Sequence, residues 1–220
     1  EILQSFVPGL NNLDVQPTRS LLYRSDYIEP SSPEVVISAP SGYRLPFSGE
    51  KRITTGPGCY YTHKNKSSEA IDFGLATDTR VLAARTGDIV YAVYGYNDGF
   101  GNLLKLSHSD GNTSWYAHLK SFVKTTGSFS IGEFAALSDN TGNSTGPHLH
   151  FEIRNTNNQS IWIRDLPGIT WFSGDVNNPC QPVGQDDGVA YGPPEGDGGT
   201  TDCTNFSFTG VVLFSEKNCD

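Results

Sequence analysis

Residues 148–154 (HLHFEIR) alternate strictly, with His148, His150, Glu152 and Arg154 on one side and Leu149, Phe151 and Ile153 on the other. Successive side chains of a β-strand point to opposite faces, so this segment is expected to be a strand with one face in a core. Short segments of similar character recur at residues 70–75 (AIDFGL), 87–93 (GDIVYAV), 102–107 (NLLKLS) and 113–119 (TSWYAHL). Strong turn pairs punctuate them: Asp98 with Gly99, Asp110 with Gly111, Thr141 with Gly142. Long periodic helices are missing, while Gly (24) and Pro (13) are plentiful. An all-β fold of short strands joined by turns follows.

At 220 residues the chain has room for one well-buried domain with appendages. The strand-like pattern runs over 42–180, which is assigned as that domain. Residues 1–41, with one expected strand at 35–37, form an N-terminal arm. Residues 181–202 are acidic and rich in Gly, Pro and Asp (PPEGDGG at 193–199), a composition expected of a linker. Residues 203–220 are either a docked tail or the start of a truncated second module. The formal net charge of -9 argues against a nucleic-acid partner, since phosphate contacts need clustered Lys and Arg. No apolar run approaches the roughly 18 residues of a membrane-spanning helix. A chain that starts at Glu1 and contains no Met is expected to be a processed or excised fragment of a longer precursor. Cys59, Cys180, Cys203 and Cys219 include no closely spaced pair, which disfavours a zinc knuckle or a dithiol redox site. Two disulfides in an oxidising compartment are expected, with Cys59 to Cys180 and Cys203 to Cys219 preferred among three connectivities.

Chemistry concentrates on the polar faces of these strands. His148 and His150 project from one face, two residues apart. Asp72 alternates with Ile71 and Phe73. In residues 115–119, Trp115, Ala117 and Leu119 are expected to face the core, with Tyr116 and His118 outward. Converged on one site, these groups make a centre of two imidazoles and a carboxylate with spare imidazoles beside it. That donor set suits a catalytic zinc, which keeps three protein ligands and leaves a fourth position to water.

Residues 141–154 (TGNSTGPHLHFEIR) and 114–119 (SWYAHL) resemble signature motifs of the lysostaphin/LytM-type zinc metallopeptidases, which mostly cut peptidoglycan peptides. Residues 70–74 (AIDFG) are similar to the aspartate strand of that family. Residues 79–90, 99–102 and 107–111 resemble the segments that follow, in the family's order, so the resemblance spans about residues 45–178. It implies a split antiparallel β-sheet core with a loop-walled groove and one zinc per chain, held by His63, Asp72 and His150. His118 and His148 match the non-ligand catalytic histidines. His148 is favoured as general base and His118 as the group that stabilises the oxyanion. Tyr116 is a weaker candidate for the groove wall, and Glu69 an alternative ligand. The eight residues between His63 and Asp72 make a long loop, similar to the β-lytic-like branch of the family. His108 is expected to be structural. Asn65, Asn112, Asn143 and Asn205 head Asn-x-Ser/Thr triplets, expected to be accidental in a bacterial protein.

The resemblance implies a secreted or cell-envelope endopeptidase, monomeric, acting on peptidoglycan. A protein-directed endopeptidase preferring Gly-rich segments is the alternative within enzymes. A catalytically silent binding or regulatory module is the alternative outside them, disfavoured because all five positions are filled. Residues 1–41 are a candidate inhibitory pro-segment, though they carry no His or Cys that would block a metal.

Overall fold

The computed structural model describes residues 38–59 and 63–195. Among these, eleven strands form one antiparallel sheet. They are β1 (Gly49–Thr55), β2 (Ile71–Phe73), β3 (Arg80–Leu82), β4 (Gly87–Val93), β5 (Asn102–Ser107), β6 (Thr113–Phe122), β7 (Ser128–Phe129), β8 (Phe134–Ser138), β9 (Leu149–Arg154), β10 (Ile169–Trp171) and β11 (Gly188–Gly192). The order across the sheet is β10-β11-β1-β2-β9-β6-β5-β4-β7, and β8 branches off to join β6 and β3. The only helical pieces among the described residues are two single 3₁₀ turns, Asn65–Ser67 and Asn97–Gly99.

The central strands owe their register to alternation. Ile71, Phe73, Leu149, Phe151 and Ile153 are fully buried in the main core with Leu104, Leu106 and Tyr116. In that register Ile71 pairs with Phe151, Asp72 with His150 and Phe73 with Leu149. A one-residue slip would turn an entire strand over. Turning β9 over would expose Leu149, Phe151 and Ile153 at about 1.5–3 kcal/mol each, roughly 4.5–9 kcal/mol in all, comparable to the whole stability of a typical domain. The core therefore fixes Asp72 and His150 on the same, opposite face, and the observed register sets them side by side there.

Strand β6 departs from the expected sidedness. Trp115 and Ala117 lie on the face of Asp72 and His150, in a small second cluster with Leu103, while Tyr116 is buried in the main core. Leu119 does face the core as expected. Between the pairs Leu104↔Tyr116 and Asn102↔Leu119, β5 advances two residues and β6 three. The extra residue is a β-bulge, and within it His118 takes φ of 58°, a left-handed conformation uncommon for a residue other than Gly. The bulge turns His118 onto the face that simple alternation would have denied it. The misassignment of Tyr116 and Trp115 has a physical origin. Trp115 is covered by the Lys105 ammonium, 3.4 Å from its ring centroid, and the Arg154 guanidinium, 3.7 Å away. Both faces of β6 are thus buried, and polarity no longer distinguishes them.

The expected linker also requires correction. Residues 188–192 form β11, which pairs with β1 from Gly49↔Gly192 to Ile53↔Gly188 and also with β10. Its glycines serve close backbone approach: a Cβ at Gly188 or Gly192 would strike the carbonyl of Thr170 or Phe47. Cys59 and Cys180 are joined by a disulfide. The expected strand at 35–37 and the Cys203–Cys219 pairing lie outside the described residues.

Candidate metal centre

Four segments meet on the polar face of the central strands. Strand β2 supplies Asp72 and β9 supplies His150 directly opposite it. Ala117 of β6 faces His150 from the other side, and its small side chain leaves room there. His148 stands just before β9, in an isolated bridge with Asp139. His63 comes from the loop after β1.

The donor atoms converge closely. Asp72 Oδ1 is 3.1 Å from His63 Nε2 and 3.0 Å from His150 Nδ1, and the three residues are all buried. Ligands 2.0–2.1 Å from a tetrahedral ion stand roughly 3.3 Å from one another, so these spacings fit a single cation. His63 Nδ1 donates to the Gly56 carbonyl at 2.8 Å, which leaves a lone pair on Nε2, and no hydrogen-bond partner meets that buried nitrogen. A buried imidazole nitrogen aimed at a carboxylate, with no hydrogen bond of its own, is the arrangement expected of a metal ligand. Burial opposes charge on Asp72, but the charge of His63 and the hydrogen bond and charge of His150 hold its carboxyl well below the ordinary range. Burial likewise opposes charge on His150, and the hydrogen bond to Asp72 together with the nearby Glu152 carboxylate outweighs it and raises its pKa.

A second layer supports these groups. Glu152 is completely buried, with Oε1 3.6 Å from His150 Nε2 and 2.7 Å from Arg154 Nη2. His118 Nδ1 donates to the Thr141 carbonyl at 2.7 Å, and His148 Nδ1 to the Gly146 carbonyl at 2.8 Å. The two rings lie 4.5 Å apart, centroid to centroid. His148 Nε2 is 3.8 Å from Asp72 Oδ1. Burial, reinforced by His148 and His150, pushes the pKa of His118 down to about 4. Both rings therefore present an unprotonated Nε2 when neutral. The metal-type cluster and both extra histidines line a groove of about 620 Å³ whose walls include Thr54, Asp98, Phe100, Asn143 and Val183.

The structure thus brings His63, Asp72, His150, His118 and His148 to one groove. Tyr116 is not there: its hydroxyl is buried in the core, within hydrogen-bonding distance of the Ala84 N–H. Glu69 is committed elsewhere, both carboxylate oxygens being held by Arg164 at 2.7 and 3.1 Å. His108 has both ring nitrogens satisfied, by the Thr86 carbonyl and the Ser114 hydroxyl, as expected of a structural histidine. Phe100, Val183 and Gly184 were not anticipated at the groove, and no local pattern marks them. Glu152 could have been found, because it shares its strand face with His150.

Residues 66–161 match the model of Peptidase family M23, a stretch that holds four of the five site residues and begins just after His63. The chain is 35% identical over 119 residues to the DD-carboxypeptidase/endopeptidase Mpg of Neisseria meningitidis serogroup B, covering 54% of this chain and 24% of that protein. It is 41% identical over 92 residues to the glycyl-glycine endopeptidase ALE-1 of Staphylococcus capitis, covering 41% of this chain and 25% of that one. Both matches span about a quarter of the relative's length. Among solved structures, the catalytic domain of lysostaphin from Staphylococcus simulans aligns with 30% identity and a TM-score of 0.41, over 50% of this chain and 83% of that chain.

Proposed function

The chain carries a Peptidase family M23 domain, and from that premise we propose that it is a zinc metalloendopeptidase that hydrolyses peptide bonds of bacterial peptidoglycan outside the cytoplasm. The observation that carries this reading is the convergence of His63, Asp72 and His150 on one point, with His118 and His148 beside it in an open groove. The donor set of two imidazoles and one carboxylate suits zinc better than an oxygen-seeking cation. Bound there, zinc would supply a water acidified to near pH 7 and a Lewis acid for a carbonyl oxygen.

The remaining steps belong to the protein. His148, its Nδ1 proton fixed on the Gly146 carbonyl, can take a proton from the attacking water at Nε2 and deliver it to the departing amine. His118 is neutral in the resting site and presents a lone pair at Nε2. It becomes a donor to a carbonyl oxygen only on taking up a proton from solvent in the open groove, which negative charge growing on that oxygen favours. Glu152, itself held by Arg154, stands behind the His150 ring with its carboxylate 3.6 Å from Nε2. The names of the relatives, a DD-carboxypeptidase/endopeptidase and a glycyl-glycine endopeptidase, support a peptide substrate, and the Cys59–Cys180 disulfide supports an oxidising compartment. A protein-directed enzyme preferring Gly-rich segments would use the same chemistry.

The test is zinc content by elemental analysis, together with release of soluble peptides from purified peptidoglycan, for the native chain and for Asp72→Asn and His150→Ala. About one zinc in the native chain, with zinc and activity lost together in both variants, is expected. A native chain that binds no zinc would refute the reading. Zinc binding with cleavage of a Gly-rich protein but not of peptidoglycan would move the substrate to the alternative.

A further inference from the structure

The loop that carries His63 is fastened from a part of the chain lying beyond the family match. Asp187, immediately before β11, is completely buried. Its Oδ2 accepts the Gly56 N–H at 2.6 Å and its Oδ1 accepts the Gln181 N–H at 2.7 Å. Its own backbone N–H donates to the Ile53 carbonyl at 2.8 Å, and its carbonyl accepts the Phe172 N–H at 2.9 Å. Gly56 is the residue whose carbonyl receives the His63 Nδ1 proton. Gly56 also leaves no slack: a Cβ there would meet Trp171 at 3.2 Å, Asp187 Oδ2 at 3.3 Å and Pro179 at 3.5 Å. Three residues further on, Cys59 is tied to Cys180, which precedes Gln181. The same tail segment brings Val183 and Gly184 to the groove wall.

We propose that residues 180–187 form a clasp for the metal centre, in which Asp187 is a positioning residue that acts on His63 through Gly56. The carboxylate fixes Gly56 against the sheet. The Gly56 carbonyl then holds the proton on His63 Nδ1 and aims the Nε2 lone pair at the point shared with Asp72 and His150. The disulfide anchors the same loop from its far side. A buried carboxylate between two backbone N–H groups is demanding to replace. Asn presents one acceptor and one amide, so the amide must face a backbone N–H and one of the two bonds is lost.

This inference rests on the zinc reading above, and the two fail differently. The native chain's own zinc affinity tests that reading, and the ratio of variant to native tests the clasp. The experiment is zinc affinity by competition with a chromophoric chelator, on the full chain carrying Asp187→Asn, with the visible absorption of the cobalt-loaded protein as a reporter of ligand geometry. Loss of a partner one shell beyond a metal ligand typically weakens the metal about 10- to 100-fold, and that range is expected here with an altered cobalt spectrum. Tyr116→Phe, destabilised in the core away from the site, controls for stability and is expected to bind zinc like the native chain. If Asp187→Asn does not fold, the paired change Cys59→Ser with Cys180→Ser decides, since it loosens the same loop. In whichever variant decides, weakening below about fivefold or an unchanged cobalt spectrum overturns the clasp, and a larger loss with an altered spectrum supports it.

Discussion

Replacing Tyr116 with Phe separates a core role from a groove role. The Tyr116 hydroxyl is 2.8 Å from the Ala84 nitrogen and 2.9 Å from the Ser114 hydroxyl, which in turn is 2.8 Å from His108 Nε2. His108 Nδ1 faces the Thr86 carbonyl at 3.0 Å and so carries the ring proton. Only one arrangement then satisfies every member. Ala84 N–H donates to Tyr116, Tyr116 O–H to Ser114, and Ser114 O–H to His108 Nε2. Phe at position 116 leaves the Ala84 N–H, at a fully buried residue, without an acceptor and removes one of the bonds to Ser114. An orphaned buried donor costs about 1–3 kcal/mol, so a loss of about 2 kcal/mol is expected. At roughly 2–4 °C per kcal/mol for a protein of this size, Tm falls by about 4–8 °C.

Urea denaturation at saturating zinc, followed by tryptophan fluorescence, is the assay. The midpoint should fall with the slope unchanged, because the surface exposed on unfolding is the same. Peptide release per folded molecule should match the native chain. An unchanged midpoint with a large fall in turnover would refute the assignment of Tyr116 to the core and return it to the groove.

Two further outcomes are expected. His118→Asn keeps a side chain tolerant of the left-handed backbone while removing the imidazole, so stability and zinc content should stay near native while kcat falls by about 10²- to 10⁴-fold. Turnover within about threefold of native would remove His118 from the proton-handling groups. For His108, burial lowers the pKa against the opposing hydrogen bond to Thr86. The unfolded chain therefore holds that proton more tightly, and the stability from this group is complete above about pH 6.5 and lost as pH falls through the folded-state pKa. His108→Gln should flatten the difference between urea midpoints at pH 7.5 and pH 5, and an unaltered difference would contradict the linkage.

The face of β9 is legible in the sequence because its two sides differ in kind, with Leu149, Phe151 and Ile153 against His150, Glu152 and Arg154. The face of Asp72 follows from the same contrast, since Ile71 and Phe73 bury the other side of β2, whereas its pairing with His150 is set by the register of the packed strands. Alternation fails where that contrast ends. On β6 both faces are buried, one by the main core and one under Lys105 and Arg154, so a phase assigned from apolar residues alone has no reason to be right. The bulge at His118 then adds a residue that polarity does not encode. A strict strand phase that places His118 with the groove would also place Tyr116 there, and it is the left-handed residue that parts them. Composition fails at β11 for a related reason. Glycines that a linker uses for freedom are used there to let β11 pass close to Phe47 and Thr170, and the two uses look alike until the partner strand is known. His63 has no strand phase at all, and its position depends on Gly56, hence on Asp187 more than a hundred residues away. What the sequence hides about this candidate site is therefore of one type. Side chains set by their own strand can be assigned from local pattern, whereas those set by a bulge or a distant carboxylate require the packed structure.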